Sequence, residues 1–113
     1  MLIAERDRTR AGYIAGLRML ADLLERQPEI PHCPHQWVSF ALGGTEAEAF
    51  EAIERAATVL TAAGIEFDHQ VTEYAQCIEF ALAGMTYSFS RLRDAEVELL
   101  EARRSYERNV QVT

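Results

Sequence analysis

Tyr13, Leu17, Leu20 and Leu24 recur at helical spacing. Ile14, Ala21 and Leu23 widen this apolar stripe, and Arg18, Asp22, Glu25 and Arg26 fall outside it. The pattern predicts an amphipathic helix from about Thr9 to Arg26, with Asp7 or Thr9 able to cap its start. Gly12 and Gly16, one turn apart, would allow another backbone to come close, or else weaken the first turns by about 1 kcal/mol each. Pro28 stops the helix, because it has no N–H and disfavours helical geometry at Gln27. Pro31 and Pro34 keep the next residues extended.

Apolar alternation follows. Val38, Phe40 and Leu42 share one side of a predicted strand, and Trp37, Ser39 and Ala41 the other. After Gly43-Gly44, Thr45 and Glu48 form a capping box for a second helix, whose buried face is Phe50, Ile53, Ala57 and Leu60. Gly64 sits where a left-handed C-cap belongs, with Ile65 as its hydrophobic contact. Ile65, Phe67 and Val71 then alternate with polar residues as a half-buried strand, and His69 falls on the apolar side. Cys77 to Leu82 and Thr86 to Leu92 read as a hairpin about Ala83-Gly84-Met85, with Tyr87 and Phe89 on one side. Asp94 can cap a last helix, Ala95 to about Arg108, with acids early and arginines late as the helix dipole prefers.

The predicted order is therefore α-β-α-β-β-β-α, an α+β fold: a mostly antiparallel four-stranded sheet with helices packed on one face. The first strand, second helix and second strand form a split or right-handed βαβ-like unit. One domain, 1–113, is expected. It divides into an N-terminal helix (1–27), a Pro-rich connector (28–36), a β-α-β-β-β core (37–93) and a C-terminal helix (94–108). Such a sheet leaves its second face to solvent or a partner. Trp37, Tyr74 and Tyr87 are the candidates for that face.

Charge narrows the partners. A net charge of −7 disfavours nucleic-acid binding through general phosphate attraction. All 11 basic residues are arginines, and alanine is abundant, which GC-rich coding accounts for. No apolar run reaches the length of a membrane span, and charges near Met1 interrupt where a signal peptide needs an apolar stretch, so a cytoplasmic location is expected. Cys33 and Cys77 are too few for a disulfide framework.

His32-Cys33-Pro34-His35 is the one stretch where metal or thiol chemistry crowds together, with Cys77 or His69 able to arrive from the sheet. Its spacing fits no standard zinc motif, so His32, Cys33 and His35 are weak metal candidates, and no metal or other cofactor is expected. Cys33 beside His32 or His35 makes a poor catalytic pair, because neighbours in an extended segment point opposite ways. Gly43-Gly44-Thr45 opens a helix as phosphate sites do, but lacks a P-loop lysine, and Glu46, Glu48 and Glu51 would repel phosphate. Arg91 and Arg93 read either as an anion-binding row or as charges protecting an edge strand.

The string from Gly16 to Pro31 (Gly-Leu-Arg-Met-Leu-Ala-Asp-Leu-Leu-Glu-Arg-Gln-Pro-Glu-Ile-Pro) resembles a pattern in small uncharacterised proteins of actinobacteria and their phages. That pattern reads Leu-Arg-x-Leu-Ala-Asp-Phe-Leu-Glu followed by Pro-Asp-Val-Pro. The downstream order is similar over most of the chain, and the chain departs from it at His32–His35. The resemblance implies a source but no known activity.

The reading that follows is a non-enzymatic phage or actinobacterial accessory protein that binds another protein. A phage origin would imply inhibition of a host function such as a defence system. Homodimerisation through the open sheet face or the Gly12/Gly16 surface is a sub-case. The rival reading is a small-ligand or nucleotide-binding module that uses Tyr87, Arg91 and Arg93 on the sheet face.

Overall fold

Thr9 begins the first helix as its N-cap: the Gly12 amide donates to Thr9 Oγ1 at 3.1 Å, and α1 runs Arg10–Arg26. The architecture is that of a computed structural model describing residues 8–111, with side chains described through Tyr106. The elements that follow are β1 (Gln36–Ala41), α2 (Glu46–Ala62), β2 (Asp68–Val71), β3 (Ala75–Leu82), β4 (Met85–Leu92) and α3 (Asp94–Gln111). The α+β class and the α-β-α-β-β-β-α order are as the sequence pattern predicts. The chain divides into two units, Met1–Pro34 and His35–Thr113, and the division falls inside the Pro-rich connector. The expected residue Asp7 lies outside the described residues.

The first unit holds α1. Among the described residues of this unit α1 is the one helix or strand, and Tyr13, Leu17, Leu20 and Leu23 on its stripe are all exposed.

The second unit holds a four-stranded sheet ordered β1-β4-β3-β2. The β2–β3 and β3–β4 pairs are antiparallel, and β1 runs parallel to β4, so the sheet is mixed. β1 and β2 are parallel to each other with the β3–β4 hairpin between them, which makes the βαβ unit a widely split one. β2 begins at Asp68 rather than Ile65; Ile65 and Phe67 precede the strand, yet both pack on the core.

α2 lies on one face, against β3 and β4. Ile53 and Leu60 of α2 meet Ile78 of β3, and Leu42, Phe50, Ile65, Phe67, Phe80 and Phe89 close around them. Burying such side chains contributes roughly 1.5–3 kcal/mol each. Both helix ends are built as the sequence indicates. The Glu48 amide donates to Thr45 Oγ1 at 3.1 Å, and Thr45 Oγ1 donates back to Glu48 Oε1 at 3.0 Å. At the far end Gly64 takes φ +72°, its amide donates to Thr61 O, and the Ile65 amide donates to Leu60 O. This is a Schellman cap, and a side chain at Gly64 would be strained. No helix among the described residues is long and apolar enough to cross a membrane.

Candidate protein-binding face of the sheet

Strand register sorts the side chains into two faces. Phe40, Tyr87 and Phe89 align across β1 and β4, and Phe80 and Ile78 align with Tyr87 and Phe89 across β3 and β4. These belong to the face that α2 covers. Trp37, Ser39 and Ala41 of β1 therefore point the other way. So do Thr86, Ser88 and Ser90 of β4, Cys77 and Glu79 of β3, and Asp68 and Gln70 of β2.

This open face is mostly small and polar, with one large aromatic. Trp37 is 64% exposed. Its Nε1–H donates to Ser88 Oγ at 3.4 Å, and Ser88 Oγ donates to Ser39 Oγ at 3.0 Å. The chain Trp37–Ser88–Ser39 fixes the indole over the sheet and leaves Ser88 buried. A rigid, exposed indole with its polar end satisfied is the kind of anchor that carries much of a protein interface's binding energy. Sequence alternation places Trp37 and Ser39 on one side, but it cannot pair Ser39 with Ser88, which lies 49 residues on.

The other sequence candidates go elsewhere. Tyr87 does not reach the open face: its ring packs edge-on against Phe40 (centroids 5.6 Å apart) and lies 5.5 Å from Phe80, on the side of α2. Tyr74 stands in the β2–β3 turn. Its carbonyl accepts from the Arg93 amide at 2.8 Å. Ala75, beside it, aligns with Leu92, whereas Trp37 aligns with Thr86. That separation along the strands is about 20 Å, so Trp37 and Tyr74 do not form one site. A hydrogen bond with Glu73 holds the Tyr74 phenol above its usual range, with smaller contributions from burial and from Glu96.

Arg91 and Arg93 are engaged by the fold rather than offered to a ligand. Arg91 Nη1 donates to the Leu42 and Gly44 carbonyls, both at 2.9 Å, Nη2 to Asp94 Oδ1 at 3.0 Å and Nε to Leu92 O at 3.2 Å. Arg93 donates twice to Thr72 O and lies 5.0 Å from the Phe50 ring centroid. Protection of an edge is ruled out as well, because β4 is a central strand. The expected cap at Asp94 is also replaced: Asp94 is the first residue of α3, its carboxylate takes Arg91, and its amide donates to Glu46 Oε1 at 3.1 Å.

His69, as expected, is a satisfied strand residue, half-buried with Nε2 3.3 Å from Gln76 Oε1. His32, Cys33 and His35 are exposed. No group of three His, Cys, Asp or Glu side chains among the described residues is placed to hold a metal ion. Cys77 is half-buried, and its thiol is pushed up from the ordinary value, first by burial and then by the carboxylates of Glu79 and Asp68. That shift keeps it protonated, the reverse of an activated nucleophile.

The site defines a class no narrower than an α+β domain with an open, Trp-bearing sheet face. Comparison with family models, with curated proteins and with solved structures returns no match.

Proposed function

We propose that this protein is a non-enzymatic accessory protein that acts by binding another protein through the open face of its sheet. The observation that carries the reading is Trp37, held by Ser88 on a face of small polar side chains with most of its ring exposed. The half-buried place of Cys77 and the upward direction of its shift speak against a nucleophilic role for that thiol. The ligand-binding alternative is less favoured, since Arg91 and Arg93 already donate to main-chain carbonyls and, for Arg91, to Asp94. The resemblance of the Gly16–Pro31 string to proteins of actinobacteria and their phages supports a host protein as the partner, and inhibition of a host function such as a defence system as the role.

Affinity capture from an actinobacterial lysate tests this. The wild-type chain recovers a specific host protein, and Trp37→Ala loses it while keeping its fold by circular dichroism. Recovery of no specific protein, or equal recovery by both baits, rejects the reading.

A further inference from the structure

The two edges of the sheet differ in chemistry. β2 is short, begins with Asp68 and lies between Glu66 and Glu73, so charge guards that edge against a further strand. β1 has no such guard. It is six residues long, exposed at five of them, and contains no charge and no proline. Residues 30–45 contain no Asp, Glu or Arg in a chain of net charge −7, so two copies meeting here bring no like charges together.

Hydrogen-bond direction limits what can dock. The Leu42 amide donates to Ser90 O, towards β4. By alternation Phe40 and Val38 also face β4, and the N–H and C=O groups of Trp37, Ser39 and Ala41 point out of the sheet. An antiparallel strand satisfies that row when its own outward residues are in register with it.

We infer that β1 is the contact between two copies of this chain, paired antiparallel about a two-fold axis through Ser39. In that register Ser39 faces Ser39 of the second copy, and Trp37 faces Ala41, the largest side chain of the edge opposite one of the smallest. Val38 faces Phe40 on the α2 side, where Phe40 is 41% exposed. Every outward N–H and C=O of these residues finds a partner, and both α2 helices lie on one side of a continuous eight-stranded sheet. The contact is made by the main-chain edge of β1 and brings Trp37 beside it, but Ser39→Pro and Ala41→Arg leave the Trp37 side chain in place, so the two ideas fail separately.

Sedimentation and light scattering on the full chain give the test. The expected mass is twice the 12.8 kDa of one chain. Ser39→Pro removes an outward N–H that β4 does not use, and Ala41→Arg places a charge on the edge. Each is expected to raise the dimer dissociation constant more than roughly tenfold with an unchanged circular dichroism spectrum. If Ser39→Pro does not fold, Ala41→Arg decides. The Ser39 amide is expected to be protected from hydrogen exchange in the dimer and to lose that protection on dilution. A monomer mass at all concentrations, a dimer that persists in the folded variants, or an unprotected Ser39 amide in a dimer overturns the inference.

Discussion

Arg91 Nη1 donates to the carbonyl of Leu42 at 2.9 Å, tying the last turn of β4 to the exit of β1 across 49 positions of sequence. The same nitrogen reaches Gly44 O, in a loop where Gly44 takes φ +79°, and the neighbouring Nη2 holds Asp94 at the start of α3. One half-buried guanidinium thus fixes two turns, β1 to α2 and β4 to α3.

Removing it leaves the Leu42 and Gly44 carbonyls without their charged donor. Arg91→Ala is expected to destabilise the protein by about 2–3 kcal/mol, because hydrogen bonds from charged groups contribute more than neutral ones. Arg91→Lys recovers only part of this, since an ammonium cannot reproduce the planar fork. Urea denaturation of the three proteins checks the order.

Ile53 and Ile78 are fully buried and face each other between α2 and β3. Truncating either to alanine should cost about 2–5 kcal/mol, the range for a core cavity that cannot collapse fully. Met19, 72% exposed on α1, is a control: Met19→Ala should change stability by no more than about 0.5 kcal/mol. Thermal unfolding of the three variants separates core from surface.

Much of the fold is legible in the sequence, for physical reasons. Local signals survive intact: Thr9, the Thr45–Glu48 box, Gly64 and Pro28 each act within four residues of themselves. Strand periodicity likewise sorts each strand into two sides, Val38 with Phe40, Ile78 with Phe80 and Tyr87 with Phe89, since an alternation within one strand needs no knowledge of the neighbour. Strand order is not local. Nothing in the run from Thr86 to Leu92 says that it lies between β1 and β3 rather than at an edge. For that reason the roles expected for Arg91 and Arg93 do not hold: their acceptors at Leu42, Gly44 and Thr72 are brought near only by the sheet. Tyr87 shows the same limit. Its side relative to Phe89 is readable, but which side α2 covers depends on Ile78 and Ile53 meeting. Of the five residues singled out for the open face, Trp37 alone is there.

Ala83 takes φ +50° in the β3–β4 turn, the one non-glycine residue among those described with a positive φ. An L-residue with a β-carbon is strained there by about 1–2 kcal/mol. Ala83→Gly relieves the strain and gives back part of it as unfolded-state entropy. The expected result is a net gain of about 0.5 kcal/mol, seen as a higher denaturation midpoint. A lower midpoint would show that the turn does not carry this strain.

Cys77 couples stability to alkaline pH. Its thiol in the folded chain titrates above its ordinary 9.0, owing to burial and then to Glu79 and Asp68. Below the unfolded value both states hold the proton, and the contribution is fully present. As pH rises from there towards the folded value, the unfolded chain releases the proton first, so stability falls. Cys77→Ser should flatten that decline above pH 9.0. The same shift should slow alkylation of Cys77 by iodoacetamide in the folded protein relative to the urea-unfolded chain, a rate that peptide mass spectrometry can follow.

Asp68 and Glu79 are register partners across β2 and β3, and both belong to the open face. Directly opposed like charges destabilise a strand pair, and Gln70 Nε2, donating to Asp68 Oδ2 at 3.0 Å, offsets this only in part. Glu79→Arg turns the repulsion into attraction and should raise stability by about 0.5–1 kcal/mol at low salt. Because the Glu79 carboxylate also holds the Cys77 thiol up, the same substitution should bring the Cys77 alkylation profile down in pH. Salt distinguishes the cause: a gain that shrinks as sodium chloride rises is electrostatic, whereas a gain independent of salt would place the effect in packing on the sheet.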